Sequence, residues 1–254
     1  MGIIGGRLGY YILRSVCKDG RYTGYMDGSA YQGQSKLEIL LGPSVWDTIR
    51  DKTVIDFGCG FGAEVVEMAK GGARRVIGID IGDYHIAQAV DLARSEGVSD
   101  RCTFVKHTDE CADVIVALDS FEHFADPAAI LRIMRSLLRD DGSVLVAFGP
   151  TWYHPLGGHI FSPFPWAHLL FTEKALIRWR SEFNHDGATR FSEIGEGLNQ
   201  MTIRRFEGLI KESPFKFAEF EARPIRRLRW VANRFTREAT TSIVHCRLVP
   251  RPSP

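Results

Sequence analysis

Long apolar runs are missing from this 254-residue chain. Nothing in it approaches the ~20 consecutive apolar residues of a membrane-spanning helix. Its first thirteen residues lack the unbroken stretch of a secretory leader, because glycines and Arg7 interrupt them. Gly6 stands where an N-terminal acylation motif wants Ser or Thr, so no lipid is expected. Cysteine is scarce and scattered. Cys17, Cys59, Cys102, Cys111 and Cys246 are never spaced C-x-x-C, which excludes a disulfide framework or zinc knuckle and makes a reducing, cytoplasmic setting the expectation. Charge of one sign is not in excess either, 32 Lys+Arg facing 31 Asp+Glu, so no global field draws the chain toward nucleic acid or an acidic membrane. There are no internal repeats and no low-complexity linker. A composition of 44% apolar and 25% charged residues excludes collagen-like, disordered and coiled-coil classes.

What is present is an alternation of buried-type strands with helical segments. Thr53-Val54-Ile55-Asp56-Phe57 is short, apolar and β-branched, runs into Gly58-Cys59-Gly60-Phe61-Gly62, and is followed by helical residues 63–70. A second strand, 75–81, precedes an amphipathic helix over 84–96 that Gly97 stops. Strands at 102–106, 113–118 and 143–148 follow, with Asp126 and Pro127 opening a helix that runs to Arg139 before the turn Asp140-Asp141-Gly142. Parallel strands need such long crossovers, so the pattern predicts a doubly wound α/β core. Beyond Gly149 the period breaks into a segment rich in Pro, Gly, His and aromatics. Helices are expected at 171–183 and 201–211, a loop at 188–197, and strands at 215–221 and 241–249.

In such a sheet ligands bind outside the carboxyl ends of the strands, and the turn Gly58 to Gly62 lies there. Glycines permit positive φ and close backbone approach, and the following helix offers free N–H groups. Asp80, eighteen residues after Gly62, ends the second strand where a carboxylate can accept from both hydroxyls of a ribose. The run Asp56-x-Gly58-x-Gly60-x-Gly62, with Ala63 next, departs from the G-x-G-x-x-G of dinucleotide sites and so disfavours an NAD-dependent oxidoreductase. Val54 to Gly62 resembles the first motif of class I S-adenosylmethionine-dependent methyltransferases. Asp80 matches their second-strand acid, and Asp119-Ser120-Phe121-Glu122-His123-Phe124 and the stretch Leu137 to Leu145 are similar to later segments of that family.

The resemblance implies a Rossmann-like, mostly parallel sheet with an antiparallel last strand and S-adenosylmethionine as cofactor. Asp56, Gly58, Cys59, Gly60 and Gly62 would hold its amino-acid end, Asp80 and Ile81 its ribose side, and Asp109 or Glu110 its adenine amine. Asp119 would also contact the cofactor, and Glu122 and His123 would lie beside the path of the methyl group.

Methyl transfer from a sulfonium chiefly needs an aligned acceptor, with a base where an O–H or N–H must be lost. His123 and His159, in the loops after strands four and five, are the expected bases; His154 and His168 are further candidates. The bland reading of each is a loop hydrogen-bonder. His154, His159 and His168 with His185 and Asp186 downstream also permit a metal, but their spacings match no metal motif, and none is expected. Trp152, Tyr153, Phe161, Phe164, Trp166 and Phe171 either line an acceptor pocket or pack a small core of their own.

From Met201 onward, 12 Lys+Arg face 5 Asp+Glu. Arg223, Arg226, Arg227, Arg229, Arg234 and Arg237 could meet a nucleic-acid backbone or a substrate phosphate. Leu228, Trp230, Val231 and Phe235 alternate with them in a way that predicts an amphipathic helix with a solvated basic face. The expected organisation is one domain over 1–254, with an N-terminal cap at 1–50, where Arg21, Tyr22, Tyr25 and Tyr31 would lie over the cofactor. The cofactor core is 51–150, an acceptor-shaping or lid-like insertion 151–200, and a helix with a strand pair 201–254. The function expected is methyl transfer to oxygen or nitrogen of a small-molecule partner, with neither membrane nor nucleic acid involved. A non-catalytic cofactor- or partner-binding module on the same fold is the alternative.

Overall fold

The computed structural model describes residues 2–16, 33–159, 164–185, 187–193 and 197–252. The chain opens with Gly6–Val16 (α1), followed by Lys36–Leu41 (α2), whose first turn is capped by the Ser35 hydroxyl accepting from the Glu38 N–H, and Val45–Ile49 (α3). Then come Thr53–Phe57 (β1), Ala63–Lys70 (α4), Arg75–Ile79 (β2), Asp83–Ser95 (α5), Cys102–Val105 (β3) and Ala112–Leu118 (β4). Pro127–Leu137 (α6) has Pro in its first turn, and the Asp126 carboxylate accepts from the Ala129 N–H at 2.9 Å, a cap of about 1 kcal/mol. Leu138–Phe148 (β5), Ala167–Leu170 (α7), Glu173–Arg180 (α8), Ile203–Glu212 (α9), Phe215–Pro224 (β6), Arg237–Thr240 (α10) and Thr241–Pro250 (β7) complete the order.

The seven strands lie in the order β3-β2-β1-β4-β5-β7-β6. The first five are parallel, and β7 runs antiparallel to both β5 and β6. This is the expected doubly wound, Rossmann-like sheet with its antiparallel close. Every residue of β1 is buried because helices cover both faces, which is why its sequence shows no alternation. On one face Ile55, Ile115, Val146 and Phe148 pack with Leu131, Met134, Phe206 and Ile210; on the other Val54, Val76 and Val114 pack with Leu37, Val65, Met68 and Ala93. Chain order reverses at β1, which has β2 on one side and β4 on the other. The exits of β1 and β4 therefore frame the crevice where such sheets bind ligands.

Three expected elements are corrected. The strand expected at 143–148 begins five residues earlier. Asp140-Asp141-Gly142 is not a free turn but an irregularity inside β5, where the register with β4 slips between Ala112 and Val114. Gly142 belongs there because a Cβ would meet the Leu138 side chain at 2.7 Å and the Asp113 carbonyl at 2.8 Å. The arginine-rich amphipathic helix does not form. A single 3₁₀ turn, Arg226–Leu228, and the one-turn α10 replace it, and Trp230 and Phe235 are left 82% and 80% exposed.

The N-terminal region and the insertion share a third core. Tyr10 and Leu13 of α1 join Ala167, Phe171, Leu176, Trp179 and Phe191 in a third core, against which Trp152 and Phe164 also pack. Three of the six aromatics, Trp152, Phe164 and Phe171, thus take the core-building role, one of the two expected for the series. The helix expected over 171–183 is trimmed to α8, where Thr172 accepts from the Ala175 N–H. Tyr22, Tyr25, Tyr31, Phe161 and Asp186, and most of the 19–34 stretch, fall outside the described residues.

Candidate functional site

The three glycines after β1 sit at φ 87°, 48° and 79°, and each has its own job. Gly58 and Cys59 donate their N–H groups to the Ile79 carbonyl, tying the turn to the end of β2. A Cβ on Gly62 would strike Ala89 Cβ at 2.7 Å and Phe104 Cε1 at 2.8 Å, so this glycine lets α4 approach α5 and β3. Gly60 has nothing within 4 Å of its missing Cβ, so its bare face is turned to open space. Cys59 is buried, and burial pushes its thiol above the usual range, which makes it a packing residue and not a nucleophile.

Asp80 is buried at the end of β2 and accepts from the Gly60 N–H at 2.9 Å and the Gly82 N–H at 2.8 Å, with His85 Nδ1 at 3.1 Å. A carboxylate offers about four lone-pair directions, so acceptor capacity remains for hydroxyls. Phe61, Ile81 and Tyr84 stand exposed at the lip, with Phe61 edge-on to both Tyr84 and His85. Apolar surface beside an acid at this place suits a nucleoside.

Inside the crevice lies Asp56, buried, with Oδ2 lacking any hydrogen-bond partner among the described residues. Burial first, then the neighbouring Glu64, pushes its pKa up to about 8; Lys36 opposes this and Asp80 adds to it. Lys36 lies 3.3 Å from Glu64 and 3.0 Å from Asp119. Burial pulls its ammonium down, but Asp119 and Glu64 more than reverse that, so it stays charged. A cation among acids next to an orphaned carboxylate fits an amino acid's ammonium and carboxylate together. Asp56, Gly60, Asp80 and Lys36 thus fit the cofactor that the motif resemblance implies.

The exit of β4 forms the other wall. Asp119 holds the left-handed φ of 48° while its N–H bonds to the Ala147 carbonyl, and Ser120 sits 3.1 Å from where a Gly58 Cβ would be. Glu122 is 2% exposed, and its carboxylate faces the backbone N–H groups of Glu122 and Gly149 while Oε2 has no partner among the described residues. Burial first, then Asp119, raises its pKa to about 8. Asn199 clamps this loop, donating from Nδ2 to the carbonyls of Phe121 and Phe124 at 2.7 and 2.8 Å.

His123 and His159, far apart in sequence, meet with ring centroids 5.6 Å apart at 87°. His123 Nδ1 lies 2.5 Å from the Gly197 carbonyl, and His159 Nε2 lies 3.2 Å from the Pro150 carbonyl. Burial, then the neighbouring His123, lowers the His159 pKa to about 4, so the ring is neutral. Among the described residues, ligand-type atoms of Glu122, His123 and His159 lie within 4.8 Å of one another.

The other two histidines act structurally. His154 accepts from the Leu156 N–H at 2.9 Å, and His168 bonds the Trp152 carbonyl at 2.6 Å while lying edge-on to that indole. Glu110 does not reach the crevice. It pairs with Arg75 at 2.8 Å, at the amino end of β2, and Asp109 is exposed in the same returning loop. Six residues cross there from β3 to β4 without a helix, so the chain has left the carboxyl edge by Glu110. Lys36, Glu64 and Asn199 are site residues that sequence reasoning missed. Only the Ser35 cap marks Lys36, and nothing local marks the other two.

A family model described as "Methyltransferase domain" matches residues 35–193. A ubiquinone biosynthesis O-methyltransferase of Neisseria meningitidis is 30% identical over 145 residues, covering 54% of this chain and 57% of that protein. A ribosomal protein L11 methyltransferase of Escherichia coli is 40% identical over 101 residues, covering 38% of this chain and 33% of that protein. The chain thus spans about half or less of the length of these curated relatives. An S-adenosylmethionine-dependent methyltransferase of Mesorhizobium loti superposes with a TM-score of 0.53 at 15% identity, covering 83% of this chain and 97% of that one, a likeness of fold.

Proposed function

This chain belongs to the methyltransferase-domain family, and we propose that it transfers a methyl group from S-adenosylmethionine to an oxygen or nitrogen of a small-molecule acceptor. When bound, the cofactor supplies an activated methyl on a sulfonium, so the protein's work is placement. Asp56 and Lys36 hold the ammonium and carboxylate of the cofactor's amino-acid end. Gly60 lets it approach the backbone, Asp80 accepts from its ribose, and Phe61, Ile81 and Tyr84 flank its base. The acceptor lies against the β4 exit, beside Glu122, His123 and His159.

The observation that carries the small-molecule reading is burial. Glu122 is 2% and His159 8% exposed, packed with His123 against Pro150, Gly197 and Asn199, so a bulky acceptor surface cannot lie flat against them. A neutral imidazole there can take a proton from a hydroxyl.

Calorimetric titration of the protein with S-adenosylmethionine, S-adenosylhomocysteine and NAD tests the cofactor. The first two should saturate and the third should not, and Asp80→Ala should weaken the first at least tenfold. Unchanged affinity in Asp80→Ala would remove the site assignment. Label transfer from methyl-tritiated cofactor to a panel of small hydroxyl and amine compounds, against intact protein acceptors, tests the acceptor class.

A further inference from the structure

We infer that Glu122, His123 and His159 form a binding site for a divalent transition-metal ion of the zinc or iron(II) type, open on the side facing the acceptor. Two imidazoles and one carboxylate, with coordination positions left over, are the donor set that such ions favour and that Mg²⁺, which prefers all-oxygen shells, does not.

Geometry first supports the site through its tautomers. A carbonyl only accepts, so the contact to Gly197 puts the His123 proton on Nδ1 and leaves Nε2 as a lone pair. The Pro150 carbonyl likewise puts the His159 proton on Nε2 and frees Nδ1. Ligating histidines regularly donate their second N–H to a backbone carbonyl in this manner, which fixes the ring and its basicity. The rings meet edge to face, 5.6 Å between centroids at 87°, and do not stack face to face.

Glu122 supplies the independent observation. Its Oε2 is buried without a partner among the described residues, although native proteins pair nearly all such atoms. The backbone N–H groups of Glu122 and Gly149 lie near this carboxylate and favour its charged form, and Oε2 is left over for a ligand. One ligand-type atom from each of the three residues lies within 4.8 Å of the others. An ion with bonds of about 2.0–2.1 Å would draw them to about 3.4 Å, a modest closure of the β4 exit onto the 150–159 segment. Asn199, which ties that exit to the chain following Gly197, positions His123 without being a ligand.

The inference rests on the methyl-transfer reading only for what the ion would do, which is to hold an acceptor oxygen near the cofactor and ease loss of its proton, in place of the proton transfer to His159 open to the metal-free site. Its test stands apart from that reading. Tag-free protein stripped by a chelator is titrated with Zn²⁺, Co²⁺ and Mg²⁺, and separately with S-adenosylmethionine. One equivalent of Zn²⁺ or Co²⁺ should bind, with Mg²⁺ weaker by about a hundredfold or more. Glu122→Gln, His123→Ala and His159→Ala should each weaken Zn²⁺ by about a hundredfold while leaving S-adenosylmethionine affinity as in the parent, and His185→Ala should change neither.

No saturable transition-metal binding by folded protein overturns the site. So does binding that survives Glu122→Gln and His159→Ala within threefold. If a variant does not fold, the visible spectrum of Co²⁺ in the unaltered protein decides. Intense bands of a low-coordinate site support the assignment, and the pale spectrum of a six-coordinate surface ion refutes it. Failure of S-adenosylmethionine to bind while Zn²⁺ still binds would remove the methyl-transfer reading and leave the metal site standing.

Discussion

Asp56 shows how one side chain sets the conditions for the site. Its pKa of about 8 means that the cofactor-free protein holds it protonated at neutral pH. The folded chain then binds this proton more tightly than the unfolded one. Its contribution to stability is full at low pH and is lost as pH rises from the ordinary carboxylate range to about 8. Ligand binding has the opposite sign, because an ammonium needs the carboxylate ionised. Affinity for S-adenosylmethionine should rise nearly tenfold per pH unit between about 6 and 7.5 and level off above 8, and Asp56→Asn should flatten that slope. Calorimetry in buffers of differing ionisation enthalpy measures the proton released.

The glycines divide in the same way. Gly62→Ala must overpack Ala89 and Phe104 in a left-handed backbone, costing about 2–4 kcal/mol in denaturant unfolding. Gly60→Ala meets no neighbour and should cost about 1–2 kcal/mol, with its main effect a loss of cofactor affinity. Equal damage to folding from both would contradict this division. Asp56, the glycines and Asp80 were legible in the sequence because a turn and the strand end beside it are local features. Lys36, Glu64 and Asn199 were not, because each acts on residues remote in the chain.

At the level of elements, parallel strands and capped helices were readable and exposed segments were not. The alternation of Leu228, Trp230, Val231 and Phe235 with arginines promised a helix. Instead the Asn233 side chain accepts from the N–H groups of Phe235 and Thr236, and the Thr236 hydroxyl donates to the Val231 carbonyl. Such side-chain bonds offer the backbone a competing turn, and no surface covers Trp230 to repay helix formation. The insertion is the converse case. Its helix α8 holds against α1, with Arg178 lying 4.1 Å over the Tyr10 ring. Trp179→Ala should destabilise the protein by about 3–5 kcal/mol, since that indole is buried in the third core. Cofactor affinity of the folded fraction should be unchanged, because the core lies apart from the glycine turn. A parallel loss of cofactor binding would mean that the insertion braces the crevice.

At the scale of the whole molecule, ligand and fold are linked. Saturation at a hundred times Kd adds about 2.7 kcal/mol to stability. For a chain of this size that raises the melting temperature by roughly 5–10 °C. S-adenosylmethionine should produce this shift in a thermal scan and NAD should produce none; equal shifts from both would contradict the glycine spacing. By itself, the sequence determined the sheet, the glycine turn and the acid that follows, because these depend on strand periodicity and backbone sterics within a few dozen residues. Only the tertiary structure decided that Glu110 turns away to Arg75 and that the aromatics of the insertion form a core with α1. It alone brought Glu122 and His123 to His159 and left a carboxylate oxygen unsatisfied among them. Those outcomes depend on which surfaces meet across the fold, and burial, which sets both the orphaned oxygens and the shifted pKa values, exists only once they have met.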